Sequence, residues 1–275
     1  FWRGLDSESS SWPRQFLLVP VGVSARRPFV RSISAFGEDI ASDTVSRGHG
    51  HYMVIVFDLD DTLYDELSYV RSGFLAVANF MAQSYNLNAN AVFEFSWRVL
   101  SEQGRGAVFD QTLLHFGLLT RSRVAQCVAV YRNHQPEIRL YPEAQEALDR
   151  FAAYPLYLVT DGNKLVQLRK IQALGIASRF RRLFISRRFG IHREKPSTYC
   201  FERIAELEGV RFSEMVCVGD NPRKDFVGIK PLGCSTVRVR SGQYQHLDYG
   251  ADHEAALVID SLNDLTFAAL EVFES

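Results

Sequence analysis

The chain has 275 residues, 47% of them hydrophobic and 23% charged, with 31 Lys and Arg set against 32 Asp and Glu for a net charge of −1. A chain of that length buries a sizeable core and holds one large domain or two smaller ones. The charge balance gives no footing for binding nucleic acid or an anionic membrane surface, and no apolar run approaches the roughly 20 residues that span a bilayer.

Residues 1–52 differ in texture from the rest: they are rich in Ser and Arg, hold no Lys and carry one short apolar run at 16–19. The Arg and Ser bias suggests a transit peptide, but Asp6, Glu8, Glu38, Asp39 and Asp43 argue against one. Met53 stands just before the first strong strand signal, so the functional protein is expected to begin near it. Residues 1–52 then read as a leader that is appended, mispredicted or disordered. His49 and His51, either side of Gly50, read as a chance pair.

Residues 54–57, Val-Ile-Val-Phe, are apolar and mostly β-branched, the pattern of a strand buried on both faces. The strand runs directly into Asp58, Asp60, Asp61 and Thr62. Carboxylates bunched at a strand end repel one another and call for a cation, most simply Mg²⁺, which prefers hard oxygen ligands. From 65 to 140 the periodicity is helical throughout, with Leu67, Val70, Phe74, Val77, Ala78 and Met81 at helix spacing and further helices over 90–100, 108–116 and 121–131. A helical insert between two strands is the expectation.

Beyond Tyr141 the texture alternates. Helices are predicted at 142–153, 164–174, 197–208, 224–230 and 262–273, and strands at 156–159, 183–186, 215–218, 235–239 and 257–259. Asn163 is placed to cap the helix at 164, and Gly175 to end it. Strands alternating with helices imply a doubly wound α/β fold around a parallel sheet. The division is therefore a leader at 1–52, an α/β core from 53–64 and 141–275, and a helical cap at 65–140. The four cysteines, Cys127, Cys200, Cys217 and Cys234, lie at no metal-ligand spacing and read as reduced core residues, in keeping with a cytoplasmic enzyme.

In a doubly wound sheet the ligand crevice lies outside the carboxyl ends of the strands. The first strand end supplies Asp58, Asp60 and Thr62, and the second Thr160 with the amides of Asp161 and Gly162. The segment after the third supplies Lys195, and the fourth Asp220 and Asn221, with Asp225 five residues on from Asp220. Each delivers a group suited to phosphate or metal.

These four stretches together resemble the haloacid dehalogenase-like hydrolase superfamily: Asp-x-Asp-x-Thr at 58–62, an apolar run ending in Thr160, Lys195 before a proline, and Gly-Asp-x-x-x-x-Asp at 219–225. The helical insert resembles the cap of the family's first subclass, and 185–195 is too short for the large cap that other subclasses place there. The resemblance implies a Mg²⁺-dependent phosphatase acting on a small phosphorylated metabolite, of sugar phosphate or nucleotide type. It implies that Asp58, the backbone carbonyl of Asp60 and Asp220 hold Mg²⁺, and that Asp58 attacks phosphorus to form an aspartyl-phosphate. Asp60 then protonates the leaving oxygen and later takes a proton from water. Thr160, Gly162 and Lys195 grip the phosphoryl oxygens with Thr62, Asp161 and Asn163 beside them, while Asp225 and Asn221 stand behind as supports.

Asp60 and Asp220 speak against the namesake dehalogenases, which need neither metal nor an acid for a leaving oxygen. A phosphomutase or dehalogenase of the same fold, or a silent regulatory or binding protein, remains the alternative. A receiver-type signalling domain is disfavoured by motif order and by the insert, and a Schiff-base phosphonate chemistry by the absence of any Lys in 65–140. Arg71, Arg98, Arg105, Gln111, His115, Arg121 and Arg123 are the side chains available in the insert to select a substrate.

Overall fold

A computed structural model of the chain describes residues 53–273; the expectations for 1–52 lie outside the described residues. A six-stranded parallel sheet runs in the order β3-β2-β1-β4-β5-β6. Its strands are β1 (Val54–Phe57), β2 (Leu156–Thr160), β3 (Arg182–Ile185), β4 (Met215–Gly219), β5 (Ser235–Val239) and β6 (Leu257–Ile259). The order places the first strand at the centre, with its neighbours reached by crossing outward on either side, so the ends of β1, β2 and β4 line one crevice.

Side chains alternate between two cores, as the period of a strand dictates. Ile55, Phe57, Leu156, Leu158, Val216 and Val218 face one side, against α5 (Pro142–Arg150), α6 (Lys164–Leu174) and α8 (Phe267–Leu270). Val54, Val56, Tyr157, Val159, Met215 and Cys217 face the other, against α7 (Tyr199–Glu208). All four cysteines are buried and unpaired.

Between β1 and β2 stand α1 (Glu66–Tyr85), α2 (Ala89–Gln103), α3 (Val108–His115) and α4 (Arg121–Asn133). They pack around Phe74, which meets Trp97, Phe109 and Tyr131 at ring-centroid distances of 6.3, 5.8 and 5.9 Å. Gly73 lets α1 and α4 approach, because a Cβ there would lie 2.4 Å from the Tyr131 ring. The two ends of this insert are tied where Tyr141 N donates to Leu63 O at 3.0 Å. Leu67, expected on the packing stripe of α1, is instead 47% exposed at its first turn.

Three predicted helices differ. The helix begun at Pro142 ends at Arg150 rather than near 153, closing with Phe151 N on Ala147 O. No regular helix covers 224–230: the chain follows successive turns, and Gly228 lies so near Pro196 that a Cβ would fall 1.9 Å from its carbonyl oxygen. Separate turn bonds, such as Lys230 N to Phe226 O at 2.9 Å, together with contacts to the neighbouring loop, shape that segment. The predicted helix at 262–273 breaks into a 3₁₀ turn, Leu262–Asp264, then α8 and a last turn, because Thr266 accepts from Ala269 N at 3.1 Å and starts a new cap in mid-run. Among the described residues, no helix is long and apolar enough to cross a membrane.

Candidate active site

The end of β1 is fixed against the end of β4 by the Asp58 N–H, which donates to Val218 O at 2.9 Å. That bond brings Asp58 beside Asp220. One carboxylate oxygen from each of Asp58, Asp220 and Asp225 lies within 4.8 Å of the others, and all three residues are buried. Lys195, also buried, reaches in with its ammonium 2.5 Å from Asp58 Oδ1 and 2.6 Å from Asp225 Oδ1. The other oxygen of Asp225 accepts from Asn221 N at 2.9 Å, which folds the 219–225 loop back on itself. Gly219 makes room for this: a Cβ there would sit 2.4 Å from Asp225 Oδ2. Thr62 Oγ1 stands 3.5 Å from both Asp58 Oδ2 and Asp220 Oδ1, bridging the first and fourth strand ends.

The electrostatics follow from burial. Desolvation pushes Asp58 up to about 7, with Lys195 pulling it down and Asp225 and Asp60 adding to the rise. Desolvation and the charges of Asp225 and Asp58 hold Asp220 well above the carboxylate range. Burial opposes the charge on Lys195, but Asp225 and Asp58 outweigh it and hold its ammonium well above the ordinary value. Two of the three buried carboxylates, Asp58 and Asp225, pair with Lys195, while the Asp220 side chain accepts from the Thr62 hydroxyl at 3.5 Å. A divalent cation with a preference for oxygen fits that donor set and its surplus of negative charge.

Asp60 sits apart from this cluster. Its Oδ1 accepts from Lys170 Nζ at 2.7 Å and from Tyr64 OH at 2.5 Å, and its Oδ2 from Gln167 Nε2 at 2.9 Å. Burial works to raise its pKa, but the Lys170 charge and these three hydrogen bonds hold it below the usual value. Its carboxylate is therefore committed to α6, and the carboxylate that joins Asp58 and Asp220 is that of Asp225, expected only as a support. Thr160 Oγ1 accepts from Gln167 Nε2 at 2.5 Å.

Asp161 ties loops together: its Oδ1 accepts from Ser186 Oγ at 2.6 Å and from Lys195 N at 3.1 Å, and its Oδ2 from Lys224 Nζ at 3.3 Å. Gly162 has φ +120, a backbone conformation that favours glycine. The Asn163 side chain caps α6, accepting from Leu165 N at 3.0 Å and Val166 N at 3.4 Å. Asn221 Oδ1 is likewise engaged locally, by Arg223 N at 3.1 Å.

Gln167, Lys170, Tyr64 and Glu66 were not among the residues the motifs single out. The available signal was on α6, where a glutamine and a lysine occupy inward positions three residues apart on a helix otherwise turned to the core by Val166 and Ile171. Of the insert's candidate selectors, Arg105 forms a double hydrogen bond with Glu66 at 2.7 and 2.9 Å, and Glu66 lies 3.8 Å from Lys170. His115 stacks on Phe95 at 3.9 Å, and Arg123 lies over the Tyr85 ring at 5.1 Å.

The model of the haloacid dehalogenase-like hydrolases matches residues 52–233. The chain is 30% identical over 228 residues to the glyceraldehyde 3-phosphate phosphatase of Pyrococcus furiosus, covering 80% of this chain and 92% of that one. It is 28% identical over 204 residues to the phosphoglycolate phosphatase of Neisseria meningitidis, covering 70% of this chain and 82% of that one. In fold it resembles the 2-haloacid dehalogenase of Pseudomonas syringae pv. Tomato, with a TM-score of 0.56 and 22% identity over 81% of this chain and 99% of that one.

Proposed function

This chain belongs to the haloacid dehalogenase-like hydrolases, and we propose that it is a Mg²⁺-dependent phosphatase that cleaves a small phosphorylated metabolite through an aspartyl-phosphate on Asp58. One observation carries the reading: segments as distant as Asp58, Lys195 and Asp220 converge so that three buried carboxylates come within 4.8 Å of one another, two of them on the Lys195 ammonium. The relatives described above act, by name, on glyceraldehyde 3-phosphate and phosphoglycolate, both short-chain phosphate esters. That supports a small ester here, of sugar phosphate or nucleotide type or shorter.

A phosphate monoester dianion repels a carboxylate nucleophile, so charge must be balanced before attack. Asp58, Asp220 and the backbone carbonyl of Asp60 would hold Mg²⁺, with Asp225 within reach; when bound, the cation offsets the negative charge of phosphate and carboxylates. Asp58 attacks phosphorus in line and the ester oxygen departs, protonated by Asp60. Water then attacks the aspartyl-phosphate and gives its proton to Asp60, so the proton is balanced over one turnover. Thr160, the Gly162 amide and Lys195 hold the equatorial oxygens, charge and dipole set in place beforehand. Asp161 and Asn163 support that loop through the bonds described above, and Thr62 and Asn221 support Asp58 and Asp225. Residues 65–140 act as the cap that closes over the crevice and 53–64 with 141–275 as the core. A cytoplasmic setting belongs to the same reading and is supported by four buried, unpaired thiols.

Hydrolysis of p-nitrophenyl phosphate with and without Mg²⁺, beside Asp58→Asn, tests the reading. Release is expected only with the cation and is expected to fall at least about 10⁴-fold in the variant. Activity that survives the substitution overturns the nucleophile. A panel of glyceraldehyde 3-phosphate, phosphoglycolate, hexose phosphates and nucleoside monophosphates, assayed for released phosphate, then fixes the ester.

A further inference from the structure

Two side chains that the reaction above leaves idle sit directly against it. Gln167 and Lys170 lie three residues apart on α6, on one face of the helix, and both are buried. The Lys170 side chain is 4% exposed, with its ammonium 2.7 Å from Asp60 Oδ1 and lying over the Tyr69 ring at 4.4 Å. Buried lysine is costly, and an apolar residue would fill the same place on a core-facing helix at less expense. Gln167 uses its amide nitrogen twice, donating to Thr160 Oγ1 at 2.5 Å and to Asp60 Oδ2 at 2.9 Å.

The count of donors on Asp60 is informative. A carboxylate offers about four acceptor positions. Lys170, Tyr64 and Gln167 fill three, from α6 and from the turn after β1. Both oxygens are thereby pinned, the plane of the group is fixed, and one acceptor position is left over. Such a carboxylate is arranged to accept from one further donor, and a water molecule is the donor that the second half of the reaction requires. Thr160, accepting from Gln167, keeps its own hydroxyl hydrogen for a phosphoryl oxygen.

We propose that Gln167 and Lys170 are positioning residues for the hydrolysis of the aspartyl-phosphate: together they aim the free acceptor position of Asp60 at the attacking water. In that step the water oxygen bonds to phosphorus, the bond from phosphorus to the Asp58 oxygen breaks, the water proton passes to Asp60, and inorganic phosphate leaves. The inference rests on the reading of Asp60 as the group that takes this proton. Its mark is selectivity between the two halves of the reaction, since p-nitrophenolate departs without an acid and the first half needs little from Asp60 with that ester.

The test is rapid-mixing and steady-state kinetics of the full-length protein with p-nitrophenyl phosphate and Mg²⁺. Lys170→Met is expected to lower kcat about 100-fold, to lower KM in parallel, to leave kcat/KM within about threefold, and to show a burst of about one nitrophenolate per site. Gln167→Met, which removes no charge, is expected to show the same split at about tenfold and decides the matter should Lys170→Met not fold, as judged by its melting curve. A fall in kcat/KM equal to that in kcat, with no burst, marks a structural role and overturns the proposal, as does unchanged kcat. Asp60→Asn separates the two levels. A burst there without one in the α6 variants sinks the positioning role alone, and no burst there removes the role of Asp60 and the proposal with it.

Discussion

Two lysines are buried at the carboxyl end of the sheet, and their surroundings are opposite in charge balance. Lys195 faces Asp58 and Asp225, with Asp220 beside them, so negative charge is in formal excess by two. Lys170 faces Asp60 and Glu66, and Arg105 completes the set, so the charges cancel. The pKa directions follow: Asp58 and Asp220 are driven up, whereas Asp60 is drawn down once Lys170 and its hydrogen bonds outweigh burial. The unbalanced side has the character of a cation site, and the balanced side that of a frame. Proximity to a lysine is therefore not what sets a carboxylate's role here; the local charge sum is.

Removing one negative charge from each side breaks that comparison most directly. Asp220→Asn is expected to weaken Mg²⁺ binding by at least about 100-fold in calorimetric titration. Glu66→Gln, the same change on the balanced side, is expected to leave it unaltered. Equal losses would refute the distinction.

Saturating Mg²⁺ is the next effect in size. At a hundred times its Kd the ion is expected to add about 2.7 kcal/mol to stability, which for a domain of this length is a rise in Tm of about 5–10 °C. EDTA is expected to reverse the rise, and differential scanning calorimetry of Asp220→Asn is expected to show at most about 2 °C of it.

Acid sharpens the same contrast. The folded, metal-free Asp58 sits at about 7, above its ordinary 3.8, so below pH 7 it holds a proton that the cation must displace. Because Asp220, also raised, must lose its proton too, Mg²⁺ affinity is expected to fall at least about tenfold for each unit below pH 7. Titrations at pH 6 and pH 8 check this, and an affinity flat across that interval would contradict it.

The smallest effect concerns the helix that carries the frame. Asn163→Ala removes the α6 cap and is expected to cost about 1 kcal/mol, a fall in Tm of about 2–4 °C. Because that side chain is spent on Leu165 N and Val166 N, KM for the phosphate ester is expected to stay put. A rise in KM without a change in Tm would move Asn163 from the cap to the phosphate.

The amino-acid sequence alone determined the order of elements, the parallel sheet and the convergence of Asp58, Lys195 and Asp220, because strand periodicity and motif spacing are local and the doubly wound topology has one crevice. Regular elements with clear caps, such as α6 from Asn163 to Gly175, were legible to the residue. Segments shaped by neighbours were not: 224–230 follows Lys195 and Pro196 rather than its own periodicity, and Thr266 restarts a helix that composition would have run through. Only the tertiary structure decided that Asp225 joins the carboxylate cluster while the Asp60 side chain turns to α6. Gln167 and Lys170 carry no motif, and a polar side chain on the inner face of a helix acquires meaning only from what the fold sets opposite it. Charge balance is a sum over residues far apart in the chain, and no local pattern contains that sum.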